Sequence, residues 1–160
     1  MLCVNCILVI NLIGDINILF FVIKPLLKRR FMSVKNIQKI IKDKEIDYVD
    51  LRFTDPRGKL QHVTMDAKVV DDDMLEEGIF FDGSSIAGWK AINESDMILK
   101  PDLSRPVVDP FTSHNTLNIF CDVLDAIKKD PYERDPRGTA KKAEDYLKKS
   151  KIGDKAFFGP

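Results

Sequence analysis

The stretch Phe80-Phe81-Asp82-Gly83-Ser84-Ser85 sets one carboxylate, a glycine and two hydroxyls in succession at the end of an apolar run. Asn93-Glu94-Ser95-Asp96 follows about a dozen residues later, and Trp89, the single tryptophan, lies between. A carboxylate held at a strand end can accept a cation, a hydroxyl or a backbone N–H. Gly83 permits a sharp turn just after Asp82. Two readings follow. In one, Asp82 is a ligand-facing carboxylate. In the other it closes a local turn by bonding the backbone two residues on, with the serines as caps. Trp89 and Ile86 are then core or interface, and Glu94 and Asp96 a solvated loop edge. A phosphate-cradling loop is not indicated, because Gly83-Ser84-Ser85 lacks the lysine and glycine spacing of a P-loop.

Other candidates carry less chemistry. Cys3-x-x-Cys6 has the spacing of half a zinc site, but no second ligand pair follows and its neighbours are aliphatic, so no metal is expected there. With Cys121 the cysteines number three, which gives no disulfide framework. Cys121 in "LNIFCDVL" reads as a buried thiol acting as a small hydrophobe. A reducing, cytoplasmic compartment fits that usage. His62 and His114 fall in a hairpin and in a loop before a strand, where edge or surface roles are expected.

Composition bounds the class. The chain is 44% hydrophobic and 31% charged, with 25 Lys and Arg against 25 Asp and Glu, the balance of a globular protein rather than a basic nucleic-acid binder. Residues 1–31 carry Lys24, Lys28, Arg29 and Arg30 against Asp15, a net of +3 that leaves −3 for the rest. Nucleic acid is therefore not expected as a partner.

Within those first residues, "CILVINLIGDINILFFVI" approaches membrane-spanning length. Asp15 interrupts it, and an aspartate near a bilayer centre costs about 2.5–3.5 kcal/mol. The positive charges follow the apolar run instead of preceding it, unlike a signal peptide. Translation starting at Met32, with residues 1–31 as upstream sequence, is the expected reading. A membrane anchor and a packed or flexible extension are the alternatives.

The elements that must position Asp82 begin at Ser33, a good helix N-cap. Val34, Ile37, Ile40 and Ile41 recur at helical spacing and predict an amphipathic helix. Val49, Leu51 and Phe53 alternate with Asp50, Arg52 and Thr54, which predicts a strand with one buried face. "TDPRGK" is a turn, and Tyr48 to Met65 reads as a hairpin. "DDDMLEEG" predicts a short helix ended by Gly78. "IFF", "DMILKPD" and "NTLNIFCDVL" predict strands, and the prolines confine "PDLSRPVVDP" to an edge or loop. Asp135 and Pro136 open a last helix, with Glu144–Lys148 and Asp145–Lys149 as favourable pairs. Strands cluster without regular strand–helix alternation. That argues an α+β fold in which a mixed or antiparallel sheet curls over one helix.

"FDGSSIAGWKAINESDMILKPD" resembles the N-terminal signature of bacterial type I glutamine synthetases. "VDLRFTDPRGKLQHVTM", "VVDPF", "YERDPRGTAKKAEDYL" and "FFGP" are similar to other stretches of that family, in the same order, from about Ser33 to Pro160. The resemblance implies a β-grasp domain over residues 32–134, the start of a catalytic domain over 135–160, and no counterpart for 1–31. It implies an ATP-dependent ligase that joins ammonia to glutamate through γ-glutamyl phosphate, built from subunits in two stacked six-membered rings. By position, Asp82 implies ammonium binding and deprotonation across a subunit interface. Ser85 implies a place beside the same pocket, Asp96 a link to the ammonium region, and Trp89 a place on the approaching loop. ATP and magnesium or manganese belong to the complete family enzyme. No metal or cofactor is expected on this stretch, and His62 and His114 do not match the metal ligands. The chain is therefore expected to be a fragment that is inactive alone, and a non-catalytic module or decayed-gene fragment that binds other subunits is the alternative.

Overall fold

The computed structural model describes residues 33–89 and 95–157. The readings of residues 1–31, of Cys3 and Cys6, and of Asn93 and Glu94 fall outside them. Helix α1 (Val34–Asp43) leads into strand β1 (Tyr48–Thr54) and strand β2 (Leu60–Asp66). Helix α2 (Asp72–Glu77), strand β3 (Ile79–Asp82), strand β4 (Asp96–Pro101), strand β5 (Val107–Val108), strand β6 (Thr116–Asp125) and helix α3 (Pro136–Ser150) complete the described chain.

The sheet runs in the order β2-β1-β6-β4-β3, with β5 paired to β6. It is mixed: β1 and β6 are parallel, and the other pairs are antiparallel. Strand β6 joins its two halves. Thr116 to Phe120 pair with β1, while Cys121 to Asp125 pair with β4.

Alternation decides what faces the core. Val49, Leu51 and Phe53 from β1, Met97 and Leu99 from β4, and Leu117, Ile119, Cys121 and Val123 from β6 are buried together with Ile37 of α1 and Leu75 of α2. Cys121 is the expected interior thiol, 1% exposed. The short α2 joins α1 in this layer, packing on both α1 and β4. A six-residue helix is too short to show a clear apolar period, so its packing role is not visible in its composition.

The hairpin turn follows its sequence. Asp55 Oδ1 accepts from the N–H groups of Arg57 and Lys59, Oδ2 accepts from Gln61, and Gly58 adopts φ +83°. Ser33 caps differently from expectation. It stands at the N-cap, but its carbonyl alone serves the first turn, accepting from Asn36 and Ile37, and its hydroxyl makes no cap bond. On α3, Lys148 pairs with both Glu144 and Asp145, so Asp145 is drawn to the residue three positions on.

The second face of β1, which one-sided alternation predicts to be solvated, is so only in part: Tyr48 is exposed, and Arg52 and Thr54 are half-buried. Asp50 is 4% exposed. Its carboxylate accepts from Thr64 and from Arg52, and lies 2.8 Å from His62 Nδ1. Burial pushes this carboxyl up, but those bonds outweigh it and hold it below the usual range. Arg52 continues to Asp109, which also accepts from Asn118. His62 thus has the edge role expected of it. His114 sits edge-on to the Tyr48 ring, also at the surface. Among the described residues no helix is long and apolar enough to cross a membrane.

Candidate functional site

Asp82 is the last residue of β3, a strand paired on one side only, with β4. Its neighbours in the strand alternate: Ile79 and Phe81 pack on the core, while Phe80 is 69% exposed. Asp82 shares the outward phase of Phe80 and is exposed. The chain then turns through a single 3-10 turn, Gly83–Ser85.

That turn uses one oxygen of the carboxylate. Asp82 Oδ1 accepts from Ser84 N–H at 2.8 Å and from Ser84 Oγ at 2.6 Å. Ser85 Oγ donates to the Asp82 backbone carbonyl at 2.6 Å. The Ser84 hydroxyl, then its N–H, and more weakly the Ser95 hydroxyl, hold the Asp82 carboxyl below its ordinary value of 3.8. The group is therefore an anion at neutral pH and stays one in mild acid.

Of the three predicted site residues, the fold brings two face to face. Asp82 and Asp96 are direct partners across the antiparallel β3–β4 ladder, and both are exposed. Like charges placed directly opposite repel. Ser85 lies one turn away, with its hydroxyl engaged by the backbone. The serine that holds the carboxylate most strongly is Ser84, whose signal was the local-turn alternative: a carboxylate bonding the residue two positions on.

Gly83 has a different reason for being glycine than the sequence suggests. Its φ is not positive. A Cβ there would lie 2.3 Å from Met97 Sδ and 3.0 Å from the Ser95 carbonyl, which Gly83 N–H meets at 2.7 Å. The turn is pressed against β4, and a side chain would lift it off.

Beyond the turn, Ile86 N–H donates to the Gly83 carbonyl and Trp89 N–H to the Ile86 carbonyl. Trp89 is core, 4% exposed, and its ring packs near Phe53, Phe81 and Tyr132. Among the described residues its indole N–H finds no acceptor. The Trp89 carbonyl accepts from Tyr132 Oη at 3.0 Å and from Arg134 Nη1 at 3.2 Å, and the Gly88 carbonyl accepts from Arg134 at 2.9 Å. Sequence reading passed over Tyr132 and Arg134, because contacts spanning more than forty residues leave no local pattern.

Comparisons with known proteins place the fold in a family. The model of the glutamine synthetase beta-Grasp domain matches residues 45–126. The chain belongs to the glutamine synthetase family. Glutamine synthetase of Rhizobium meliloti (strain 1021) is 59% identical over 128 residues, covering 80% of this chain and 27% of that protein. Glutamine synthetase of Azorhizobium caulinodans has the same identity and coverage. The chain thus spans about a quarter of the length of the curated glutamine synthetases it matches. Among solved structures, the cryo-EM structure of Plasmodium falciparum glutamine synthetase aligns with a TM-score of 0.69 at 29% identity, over 78% of this chain and 24% of that one. Apo GmaS aligns at a TM-score of 0.63 and 21% identity, over 69% and 25%, a likeness of fold alone.

Among the described residues no three His, Cys, Asp or Glu side chains converge on a point where an ion could sit.

Proposed function

We propose that this chain supplies the β-grasp portion of a glutamine synthetase, and that Asp82 is its contribution to an ammonium site completed by a neighbouring subunit. The observation that carries this reading is the exposed, ionised Asp82 standing opposite Asp96 at the rim of the sheet. Two facing carboxylates repel each other, and a small cation between or beside them relieves the repulsion. A rigid turn fixes the first carboxylate, so little motion must be frozen when the ion arrives.

The reaction in this reading joins ammonia to glutamate. Glutamate is phosphorylated by ATP, and ammonia displaces phosphate from the γ-glutamyl phosphate. Ammonium has no lone pair and must lose a proton before it attacks. The lowered pKa of Asp82 makes it a good cation partner and a weak base while the site is open to water. Its chance to take the proton comes when the neighbouring subunit excludes water, because desolvation disfavours the separated charges. In this reading the nucleotide and metal are held by the catalytic portion of the family's complete enzyme. Stacked rings of subunits in a cytoplasmic setting complete the reading. The buried free thiol of Cys121 is compatible with that setting.

The test joins residues 32–160 to the C-terminal remainder of the Rhizobium meliloti relative and measures ATP-dependent glutamine formation. Asp82→Asn, which keeps the shape and removes the charge, is expected to raise the ammonium KM strongly while the glutamate and ATP KM values stay near the parent's. Unchanged ammonium kinetics would remove Asp82 from the site.

A further inference from the structure

The turn carrying Asp82 is fixed at its near end by Gly83 N–H on the Ser95 carbonyl, and at its far end by two side chains from elsewhere in the chain. We infer that Tyr132 and Arg134 are positioning residues for the ammonium site: they clamp the far end of the 82–89 loop and so set where Asp82 stands. This rests on the reading of Asp82 given above.

The path from clamp to carboxylate is continuous. Arg134 Nη1 bridges the carbonyls of Gly88 and Trp89, and Tyr132 Oη meets the same Trp89 carbonyl. Trp89 N–H holds the Ile86 carbonyl, and Ile86 N–H holds the Gly83 carbonyl, one residue from Asp82. The Trp89 ring, seated against Phe81 and Tyr132, adds a packed connection to the residue preceding Asp82.

The clamp itself is anchored. Tyr132 N–H donates to the Val123 carbonyl of β6, and Pro131 bridges to Leu124. Asp135, 1% exposed, then accepts from Arg137, Gly138 and Val123, binding the segment to both α3 and β6. Tyr132 and Arg134 therefore project from a fixed segment onto the end of the loop opposite the Gly83–Ser95 bond.

Arg134 is suited to this work. Its guanidinium offers several donors in one plane, and here two carbonyls share one of its nitrogens. Among the described residues it makes no ion pair, so its charge is directed at loop carbonyls and not at a carboxylate. It is also exposed, so its removal leaves the apolar core intact.

Two measurements test the inference. Trp89 is the chain's sole tryptophan, so acrylamide quenching of the 160-residue chain reports this loop alone. Arg134→Ala is expected to raise the quenching constant at least twofold with the far-UV spectrum unchanged. In the joined polypeptide, the same change is expected to raise the ammonium KM about tenfold, with kcat and the glutamate KM within twofold, as misplacement of one binding group predicts. Arg134→Lys, which can still reach one carbonyl, should recover most of the loss. If Arg134→Ala does not fold, Tyr132→Phe, which removes only the hydroxyl, should show the same pattern more weakly.

If Asp82→Asn raises the ammonium KM and Arg134→Ala does not, the clamp inference fails and the assignment of Asp82 stands. Increased quenching with unchanged ammonium KM also overturns it, because the loop would then be ordered for reasons unrelated to the site. If Asp82→Asn itself has no effect on ammonium, both readings fall together.

Discussion

Two aspartates in this chain close turns by the same device, yet they end in opposite situations. Asp55 and Asp82 each accept the N–H two residues on, and the bonds of each turn hold its carboxyl below the ordinary value. Asp55 goes on to accept from Lys59 and Gln61 and is 5% exposed, so both its oxygens are spent inside the hairpin. Asp82 is exposed, engages serine hydroxyls, and faces another carboxylate across the ladder. A turn that satisfies its aspartate inward is finished. One that holds its aspartate out, against a like charge, leaves that carboxylate open to a partner outside the turn.

Substitutions can break or sharpen that contrast. The largest effect is expected from Asp82→Asn in the joined polypeptide. It should lower kcat/KM for ammonium about a hundredfold or more, as loss of a charge that acts on the reacting ion allows. Its thermal midpoint should stay within a degree or so of the parent's, or rise, since one of two repelling charges is gone. Asp55→Ala should do the reverse. It lowers the thermal midpoint by several degrees, because three donors lose their acceptor, and it leaves the ammonium KM unchanged in material that remains folded. If Asp55→Ala altered ammonium kinetics as strongly as Asp82→Asn, the distinction between the two turns would collapse.

Gly83→Ala is intermediate. The added methyl meets the side chain of Met97, and overpacking of this kind costs about 1–3 kcal/mol. Urea denaturation reads that cost, and the ammonium KM should rise with it because the turn is displaced. Met97→Ala combined with Gly83→Ala should recover part of the kinetic loss while lowering stability further.

The smallest effect concerns pH. A carboxyl whose folded pKa is depressed stabilises the fold above its unfolded pKa, and that contribution is lost as pH falls through the folded value. Asp55 and Asp82 both have this sign. Ser84→Ala removes the largest cause of the shift at Asp82, so carboxyl-carbon NMR should show its titration moving upward toward 3.8, with Asp55 unmoved.

Much of this was legible in the sequence because it is local. Alternation in Val49-Asp50-Leu51-Arg52-Phe53 marked strand β1, and Asp-Pro-Arg-Gly marked the hairpin turn. Asp82-Gly83-Ser84 allowed both a closed turn and a ligand-facing carboxylate, and the fold shows the closed turn with its carboxylate exposed. What escaped was tertiary. The crowding at Gly83 comes from Met97, the burial of Asp50 from strands on either side, and the clamp on Trp89 from Tyr132 and Arg134. Neighbouring letters encode none of these. The pairing of Asp82 with Asp96 is an intermediate case, since both residues were marked but their register depends on how β3 meets β4.

Strand β6 has a consequence for how the domain is made. Among the described residues it follows the other strands in chain order, and it joins β1–β2 to β3–β4. Until residues 116–125 leave the ribosome, the nascent chain holds two separate ribbons, each with an apolar face and an open edge beside it. Such pieces are prone to pair with the wrong neighbour. The interval between finishing β4 and delivering β6 is the window in which a holdase has most to protect.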